Sequence, residues 1–357
     1  MRFPPRNGRI FVSVTNVLSY DGGDSCTKGE DDKVNAIQSR LAALDAYKPE
    51  PYAPDDLDSF WRYTLDEFAD KPLNGTRTLA EPLFPWMDVY DVRYEGFDDT
   101  PIAGWFLLPR MERGRQVPCI VTYHGYTGGR GYPERYAHWL LMGYAVFAVD
   151  VRGQKGHTGN RLASPHGMAK GWVSQGILDK TGSYYRAVAI DSVKAVEWAA
   201  MQPEVDPGRI VVEGASQGGG IALLTAALSG KPKLAVAGVP NLCHMDFGIL
   251  NSTGSLTELA DFVNEFPDKL DAVLHTLGYF DLLNLAPRIR IPVLVTVGLK
   301  DTVCMPETIY AAYNRMTCDK EIYPFPFMGH EHAGSRVRLT IDFVRRKLGE
   351  AAVHTDA

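Results

Sequence analysis

A serine lies at the centre of a glycine-containing pentapeptide, Gly214-Ala-Ser-Gln-Gly218. The apolar run Arg209–Glu213 precedes it, and an apolar, helix-forming segment, Gly219–Ala227, follows it. A turn from a strand directly into a helix strains its central residue, tolerates only small neighbours and lifts the central side chain clear of the sheet. Such a pentapeptide also occurs in ordinary glycine-rich turns, but this context predicts that Ser216 is a nucleophile.

A serine hydroxyl needs a base to accept its proton and an acid to orient that base. With this kind of elbow, the three residues follow one another in the chain as serine, acid and histidine. Asp301 lies just past the apolar run Ile291–Gly298, and His330 follows the last strand-like run. Both side chains would stand at the carboxyl ends of strands, so the sequence predicts a triad of Ser216, Asp301 and His330.

Other residues compete for the two partner roles. Asp281 also follows the serine, but it falls in a segment without a strand-like run, which disfavours it as the acid. His332 competes with His330 for the role of base. We prefer His330, because Gly329 directly before it supplies a flexible loop. His124 ends a core strand but precedes the serine in the chain, so we interpret it as a residue that shapes its own loop.

Acyl transfer passes through a tetrahedral intermediate whose oxyanion needs converging hydrogen-bond donors. One donor is expected to be the backbone N–H of the residue after the nucleophile, which is Gln217, and the other comes from the loop after an early strand. That loop is residues 124–129, where Tyr126 would supply the second N–H. Its glycines allow close approach of the backbone, although a plain glycine-rich turn is the alternative reading.

The spacing of apolar residues predicts the elements that must position these groups. Short apolar runs predict strands at Val89–Tyr94, Ile102–Leu108, Cys119–Tyr123, Ala145–Asp150, Arg209–Glu213, Ile291–Gly298 and Glu321–Phe325. Helical spacing predicts helices at Glu134–Leu141, Tyr184–Ala200, Pro306–Met316 and Arg336–Leu348, and an earlier helix capped by Asp55 and Asp56 with apolar Leu57, Phe60, Trp61, Leu65 and Phe68. An antiparallel hairpin should therefore lead into a mostly parallel sheet with helices on both faces.

The alternation of strands and helices stops between residues 240 and 286, where two helices, Leu256–Val263 and Asp268–Leu277, are expected. We interpret this segment as a small helical lid inserted into one α/β domain that covers residues 35–357. Residues 1–34 are predicted to be a weakly ordered extension, because they are rich in small and charged residues after Leu18. Their apolar run is interrupted by polar residues and lacks a small-residue cleavage site, which disfavours a signal peptide.

Composition excludes several kinds of function. The net charge of −6 argues against nucleic acid or an anionic membrane surface as a partner, since either would need a clustered basic face. No run of 18 apolar residues occurs, so we expect a soluble protein. The five cysteines are widely spread without a C-x-x-C pair, which favours free thiols in a cytoplasm. Metal and nucleotide motifs are missing from the sequence, so no metal or cofactor is expected.

Several short motifs occur in register between about Leu41 and Leu348. They are Tyr123–Gly131, Asp150–Gln154, Gly176–Asp179 with Tyr184–Arg186, Gly214–Gly220, Tyr279–Asp281, Ala311–Asn314 and Gly329–Glu331. This set resembles the acetyl xylan esterase and cephalosporin C deacetylase family, the seventh carbohydrate esterase family of the α/β-hydrolases. The resemblance implies the same triad and the same oxyanion donors, and it gives Arg152 and Gln154, in the R-G-Q signature, a structural role near the site.

The resemblance also implies a function. It implies removal of acetyl groups from acetylated xylo-oligosaccharides and cephalosporin C through an acetyl-enzyme, in a cytoplasmic homohexamer without a cofactor. Residues 1–34 have no counterpart in the family pattern, and His332 and Ala333 depart from it. The alternatives are a carboxylesterase, thioesterase or peptidase of the same fold with another acyl or leaving group, and a binding protein that has lost catalysis.

Overall fold

The computed structural model describes residues 35–165, 167, 170–331 and 334–349. The chain divides into a short N-terminal unit that ends at Ala46 and a larger unit that starts at Tyr47. In the first, helix α1 (Ala36–Asp45) begins at Asn35, whose side chain forms a reciprocal capping box with Gln38. The predicted extension, residues 1–34, lies outside the described residues, and the predicted domain boundary at residue 34 stays a prediction.

One nine-stranded sheet forms the centre of the larger unit. Its strands are β1 (Thr76–Ala80), β2 (Met87–Glu95), β3 (Pro101–Pro109), β4 (Val117–Tyr123), β5 (Ala145–Val149), β6 (Val205–Ala215), β7 (Leu234–Gly238), β8 (Val293–Gly298) and β9 (Lys320–Phe325). They lie in the order β1-β2-β3-β5-β4-β6-β7-β8-β9. β1, β2, β3 and β5 pair antiparallel, and every pair from β5 to β9 is parallel.

Helices surround this sheet. They are α2 (Leu57–Ala69), α3 (Ala137–Leu141), α4 (Tyr184–Ala200), α5 (Gln217–Leu228), α6 (Met245–Asn251), α7 (Thr257–Glu265), α8 (Leu270–Gly278), α9 (Leu282–Leu285), α10 (Pro306–Tyr313) and α11 (Gly334–Leu348). Every residue of β4, β5, β7 and β8 is buried, as in parallel strands that are covered on both faces. The predicted α/β-hydrolase fold is therefore confirmed. In the described parts of the chain, no helix is long and apolar enough to cross a membrane.

The segment predicted as a lid contains α6 to α9, between β7 and β8. Two of these helices, α7 and α8, were expected from the sequence, whereas α6 and α9 were not. Strands β1 and β7 were also absent from the prediction. β7 reads Leu-Ala-Val-Ala-Gly, in which alanine and glycine have little intrinsic strand preference, and its pairing with β6 on one side and β8 on the other supplies the stabilisation. Tertiary pairing thus decides this strand.

Helix α2 differs in detail from its prediction. Thr64 is buried where Leu65 was expected to be, and Leu65 is only partly buried. Among the described residues, the side chain of Asp56 forms no capping hydrogen bond; its carboxylate instead binds the ammonium of Lys180 and the hydroxyl of Tyr279. Asp56 thus occupies the predicted N-cap position, but its side chain does not cap the helix, because an ion pair with the loop before α4 takes the carboxylate.

Candidate active site

The predicted elbow is present between β6, which ends at Ala215, and α5, which begins at Gln217. Ser216 between them has φ 57° and ψ −123°, a conformation that residues with a side chain rarely adopt. Its N–H donates to the carbonyl of Gly238 at 2.8 Å, and its carbonyl accepts the N–H of Asn241 at 2.9 Å. Hydrogen bonds from the end of β7 therefore hold the serine in this strained conformation.

The glycines of the pentapeptide are required by close backbone contacts. A Cβ at Gly218 would lie 2.0 Å from the carbonyl oxygen of Tyr123 at the end of β4. A Cβ at Gly214 would lie 2.3 Å from the carbonyl carbon of Gly218. Helix α5 starts so close to the strand ends that a side chain does not fit at either position.

Hydrogen bonds join the three residues of the predicted triad. His330 Nε2 lies 2.9 Å from Ser216 Oγ, and His330 Nδ1 lies 2.8 Å from Asp301 Oδ2. The Asp301 side chain is completely buried, and its Oδ1 accepts the N–H groups of Val303 and Cys304 at 2.8 and 2.9 Å. An aspartate at Nδ1 favours the tautomer in which Nε2 can accept the serine proton. This arrangement can activate Ser216.

The rival acid, Asp281, lies elsewhere, before α9. Its carboxylate accepts the Tyr52 hydroxyl at 2.5 Å and the N–H groups of His244, Met245 and Leu283 at 2.7, 2.5 and 2.8 Å. Burial raises the pKa of Asp281 to about 6, although these hydrogen bonds oppose the effect. Its partners are groups that fix the backbone of the helical insertion. The rival base, His332, lies outside the described residues.

His124 at the end of β4 has both ring nitrogens bound to backbone groups. Nδ1 lies 2.8 Å from the carbonyl of Gly125, and Nε2 accepts the N–H of Val151 at 2.9 Å. Burial lowers the pKa of His124, which favours the neutral ring that these two contacts require. The side chain thus links its own loop to the segment after β5.

The two segments that carry the predicted oxyanion donors both lie next to Ser216 in the structure. Gln217 is the first residue of α5, where a backbone N–H has no carbonyl partner within the helix. The loop that carries Tyr126 passes beside the serine, because a Cβ at Gly125 would lie 3.8 Å from Ser216 Cβ. The structure thus brings the segments that carry the predicted donors to Ser216. Their role as oxyanion donors stays a prediction.

Gln154 connects these two donor segments. Its Oε1 accepts the N–H of Thr127 at 2.8 Å, and its Nε2 donates to Gln217 Oε1 at 2.8 Å and to the Tyr184 hydroxyl at 2.9 Å. The side chain is buried, so these bonds are shielded from water. Gln154 thus fixes the loop after β4 against the start of α5.

Arg152 is fully buried and spans three segments. Its Nε and one terminal nitrogen donate to the two oxygens of Asp191 at 2.6 and 2.8 Å, and its other terminal nitrogen donates to Asp98 at 3.0 Å. Planar guanidinium geometry suits this fork, which lysine cannot reproduce. Arg152 therefore ties the segment after β5 to α4 and to the β2–β3 turn.

Arg152→Lys is expected to lower the free energy of unfolding by about 2 to 3 kcal/mol, because charge-assisted hydrogen bonds to buried Asp191 are lost. Urea unfolding measures the change. The matched control is Arg346→Lys, since Arg346 makes a similar two-bond contact to Glu321 with a side chain that is 42% exposed. That change should be worth less than about 1 kcal/mol. Equal effects would contradict a structural role for Arg152.

Cys304 lies beside Ser216, a contact that sequence reasoning missed. Its Sγ lies 4.0 Å from Ser216 Oγ, and burial raises the pKa of the thiol, which therefore stays protonated. Its position three residues after Asp301 was the available signal. The described cysteines are free: Cys119, Cys243, Cys304 and Cys318. Among the described residues, no group of three or more His, Cys, Asp or Glu side chains could hold a metal ion.

The chain resembles known proteins in both sequence and fold. The sequence profile of the acetyl xylan esterase (AXE1) family matches residues 35–346. The chain is 26% identical over 291 residues to the acetyl esterase Axe7A of Xylanibacter ruminicola; the match covers 79% of this chain and 65% of that protein, so the chain spans slightly less than two thirds of its length.

Two solved structures are similar over nearly their whole length. The acetyl xylan esterase from Paenibacillus sp. R4 has a TM-score of 0.83 and 37% identity, covering 86% of this chain and 99% of that one. Acetyl xylan esterase 1 from Thermoanaerobacterium sp. JW/SL YS485 has a TM-score of 0.82 and 28% identity, covering 86% and 98%. With the family profile matched over most of its length, the chain belongs to the acetyl xylan esterase family.

Proposed function

We propose that the protein is a serine esterase that removes acetyl groups from small esters. The observation that carries the proposal is the hydrogen-bonded series from Asp301 through His330 to Ser216 at a strained strand-to-helix elbow. Membership of the acetyl xylan esterase family supports acetyl as the acyl group.

The reaction proceeds in two halves. Ser216 Oγ attacks the acetyl carbonyl while its proton passes to His330 Nε2, and Asp301 stabilises the charged imidazole. The backbone N–H groups of Tyr126 and Gln217 bind the oxyanion of the tetrahedral intermediate. His330 returns the proton to the leaving alcohol, which leaves an acetyl-enzyme. Water then attacks the acetyl group with the same base, releasing acetate and free Ser216. The route needs no cofactor.

Acetylated xylo-oligosaccharides and cephalosporin C are the proposed substrates. Two similar solved structures are named acetyl xylan esterases, which supports the carbohydrate ester, while cephalosporin C follows from the sequence resemblance alone. We place the protein in the cytoplasm, where the four free cysteines of the described chain would stay reduced. A homohexamer is proposed on the resemblance alone, and light scattering of the purified protein measures the subunit number.

The proposed acyl group is tested with p-nitrophenyl esters of increasing acyl-chain length. We expect kcat/KM to fall by about tenfold or more from p-nitrophenyl acetate to the butyrate, and further to the hexanoate, because the small acyl pocket that the family resemblance implies would exclude longer chains. The buried Cys304 Sγ lies 4.0 Å from Ser216 Oγ and therefore occupies space beside the proposed nucleophile. A carboxylesterase or thioesterase with a larger acyl site would instead hydrolyse butyrate as well as acetate, and that result would contradict the proposal.

The identity of the leaving alcohol is tested by measuring acetate release at equal acetyl concentration. The substrates are acetylated xylobiose, acetylated glucose and cephalosporin C. Release from acetylated xylobiose supports the proposed carbohydrate substrate, and release from cephalosporin C supports the antibiotic. A protein that hydrolyses p-nitrophenyl acetate but releases no acetate from any of the three would contradict the proposed substrates while leaving the triad chemistry intact. Ser216→Ala serves as the blank.

A further inference from the structure

Three separate segments meet at the carboxylate of Glu258. Glu258 lies on α7, in the helical insertion, and is only 6% exposed. Its Oε2 accepts the hydroxyl of Tyr126 at 2.7 Å and the N–H of Val173 at 3.3 Å. The N–H of Trp172 donates to the same Tyr126 hydroxyl oxygen at 2.9 Å. The phenol of Tyr126 is therefore held between a donor and an acceptor.

The packing around these bonds is close. The rings of Tyr126 and Trp172 meet edge to face with centroids 5.6 Å apart. Gly171 has φ +61°, and a Cβ there would lie 2.1 Å from Glu258 Oε1, so this backbone passes directly against the carboxylate. Burial raises the pKa of Tyr126, which keeps the phenol protonated and able to donate. Glu258 thus fixes the Tyr126 ring by a specific bond in a crowded site.

The position of this ring bears on the reaction because Tyr126 also carries a proposed oxyanion donor on its backbone. Gly125 precedes Tyr126, and Gly128 and Gly129 lie just beyond it, so the loop has little stiffness of its own. An oxyanion donor is effective only when it is held in place before the charge develops. In this loop, the anchored side chain of Tyr126 adds a second tether to the one that Gln154 provides through the N–H of Thr127.

We propose that Glu258 is a positioning residue of the oxyanion hole, acting through the Tyr126 phenol to hold the Tyr126 N–H beside Ser216. This inference rests on the proposed function, since it assumes that the N–H binds the oxyanion. It also makes helix α7 of the insertion part of the structure that supports the catalytic loop. Glu258 accepts hydrogen bonds from the Tyr126 phenol and the Val173 N–H, so the role proposed for it is to position the donor.

The test compares Glu258→Ala, Glu258→Gln and Tyr126→Phe. Loss of a whole oxyanion donor lowers kcat by about 10²- to 10³-fold, so a displaced donor should lower it by about tenfold or more in Glu258→Ala and Tyr126→Phe, with KM changed by less than about threefold. Glu258→Gln should keep kcat within about threefold of wild type, because its amide oxygen still accepts the phenol proton. The conservative variant thereby separates the hydrogen bond from the charge.

A double-mutant cycle shows whether the two residues act through one bond. Tyr126→Phe combined with Glu258→Ala should lower kcat no further than the larger single effect, because each change breaks the same contact. The matched control is Tyr52→Phe, which removes a phenol that donates to the buried carboxylate of Asp281 at 2.5 Å. This control should lower the melting temperature and leave kcat unchanged.

Three results would overturn the inference: a folded Glu258→Ala that keeps kcat within about twofold, additive effects in the double variant, or an equal loss of kcat in Tyr52→Phe. If Glu258→Ala does not fold, Tyr126→Phe and Glu258→Gln replace it. A folded Tyr126→Phe that keeps kcat within about twofold of wild type, no lower than that of Glu258→Gln, would then overturn the inference. Failure of the proposed function is separate, since it would appear as absent acetate hydrolysis in the wild type. The comparison is therefore made on any p-nitrophenyl ester that the wild type hydrolyses.

Discussion

Ser216→Ala is expected to lower kcat for p-nitrophenyl acetate by about 10⁴- to 10⁶-fold, with little change in KM. The hydroxyl lies 2.9 Å from His330 Nε2, and no covalent intermediate can form without it. The residual rate would come from the remaining oxyanion donors and from substrate binding. Steady-state kinetics with the purified variant measure the loss.

A second readout identifies the modified atom. A fluorophosphonate probe should label the wild type and fail to label Ser216→Ala, because the probe forms a covalent bond with an activated serine oxygen. Ser174→Ala is the control, since Ser174 is another buried serine and lies in the connection between β5 and α4. It should keep both turnover and labelling. Labelling of a folded Ser216→Ala, or turnover near the wild-type level, would exclude Ser216 as the nucleophile.

Asp281→Ala is expected to lower the free energy of unfolding by about 4 kcal/mol or more. The change leaves one phenol and three buried N–H groups without their acceptor, those of Tyr52, His244, Met245 and Leu283. Each buried donor left without a partner lowers the stability of the folded protein by about 1 to 3 kcal/mol. Urea unfolding measures the change. An effect below about 1 kcal/mol would mean that water or a rearranged backbone replaces the carboxylate.

Asp281→Asn tests the charge of the same group. Burial raises the pKa of Asp281 to about 6, whereas an unfolded aspartate titrates near about 4. The folded protein therefore binds this proton more readily, and the contribution of Asp281 to stability falls as pH rises from about 4 to about 6. Asparagine does not titrate, so the free energy of unfolding of the wild type should exceed that of Asp281→Asn by more at acid than at neutral pH. A difference independent of pH would contradict the raised pKa.

The sequence predicted most of the sheet because buried parallel strands are short, continuous apolar runs. Cys119–Tyr123 and Ile291–Gly298 were recognised in this way and correspond to β4 and β8. Strand β7 was missed because alanine and glycine carry little strand preference, and the exposed edge strand β1 was missed because it lacks a buried face. For both strands, pairing with a neighbour in the sheet supplied the missing information.

The sequence by itself predicted the elbow at Ser216, because a strand, a glycine-containing pentapeptide and a helix follow one another in the chain. Hydrogen bonds with Gly238 and Asn241, which lie beyond that segment, hold the serine in its strained conformation. The sequence also favoured Asp301 over Asp281, and the tertiary structure places Asp301 at hydrogen-bond distance from the histidine. Only the tertiary structure placed Cys304 and Glu258 beside residues far away in the chain. Ser216 and His330 are 114 positions apart, and Tyr126 and Glu258 are 132 apart. Contacts over such separations depend on how the sheet and the inserted helices pack, which no local pattern encodes.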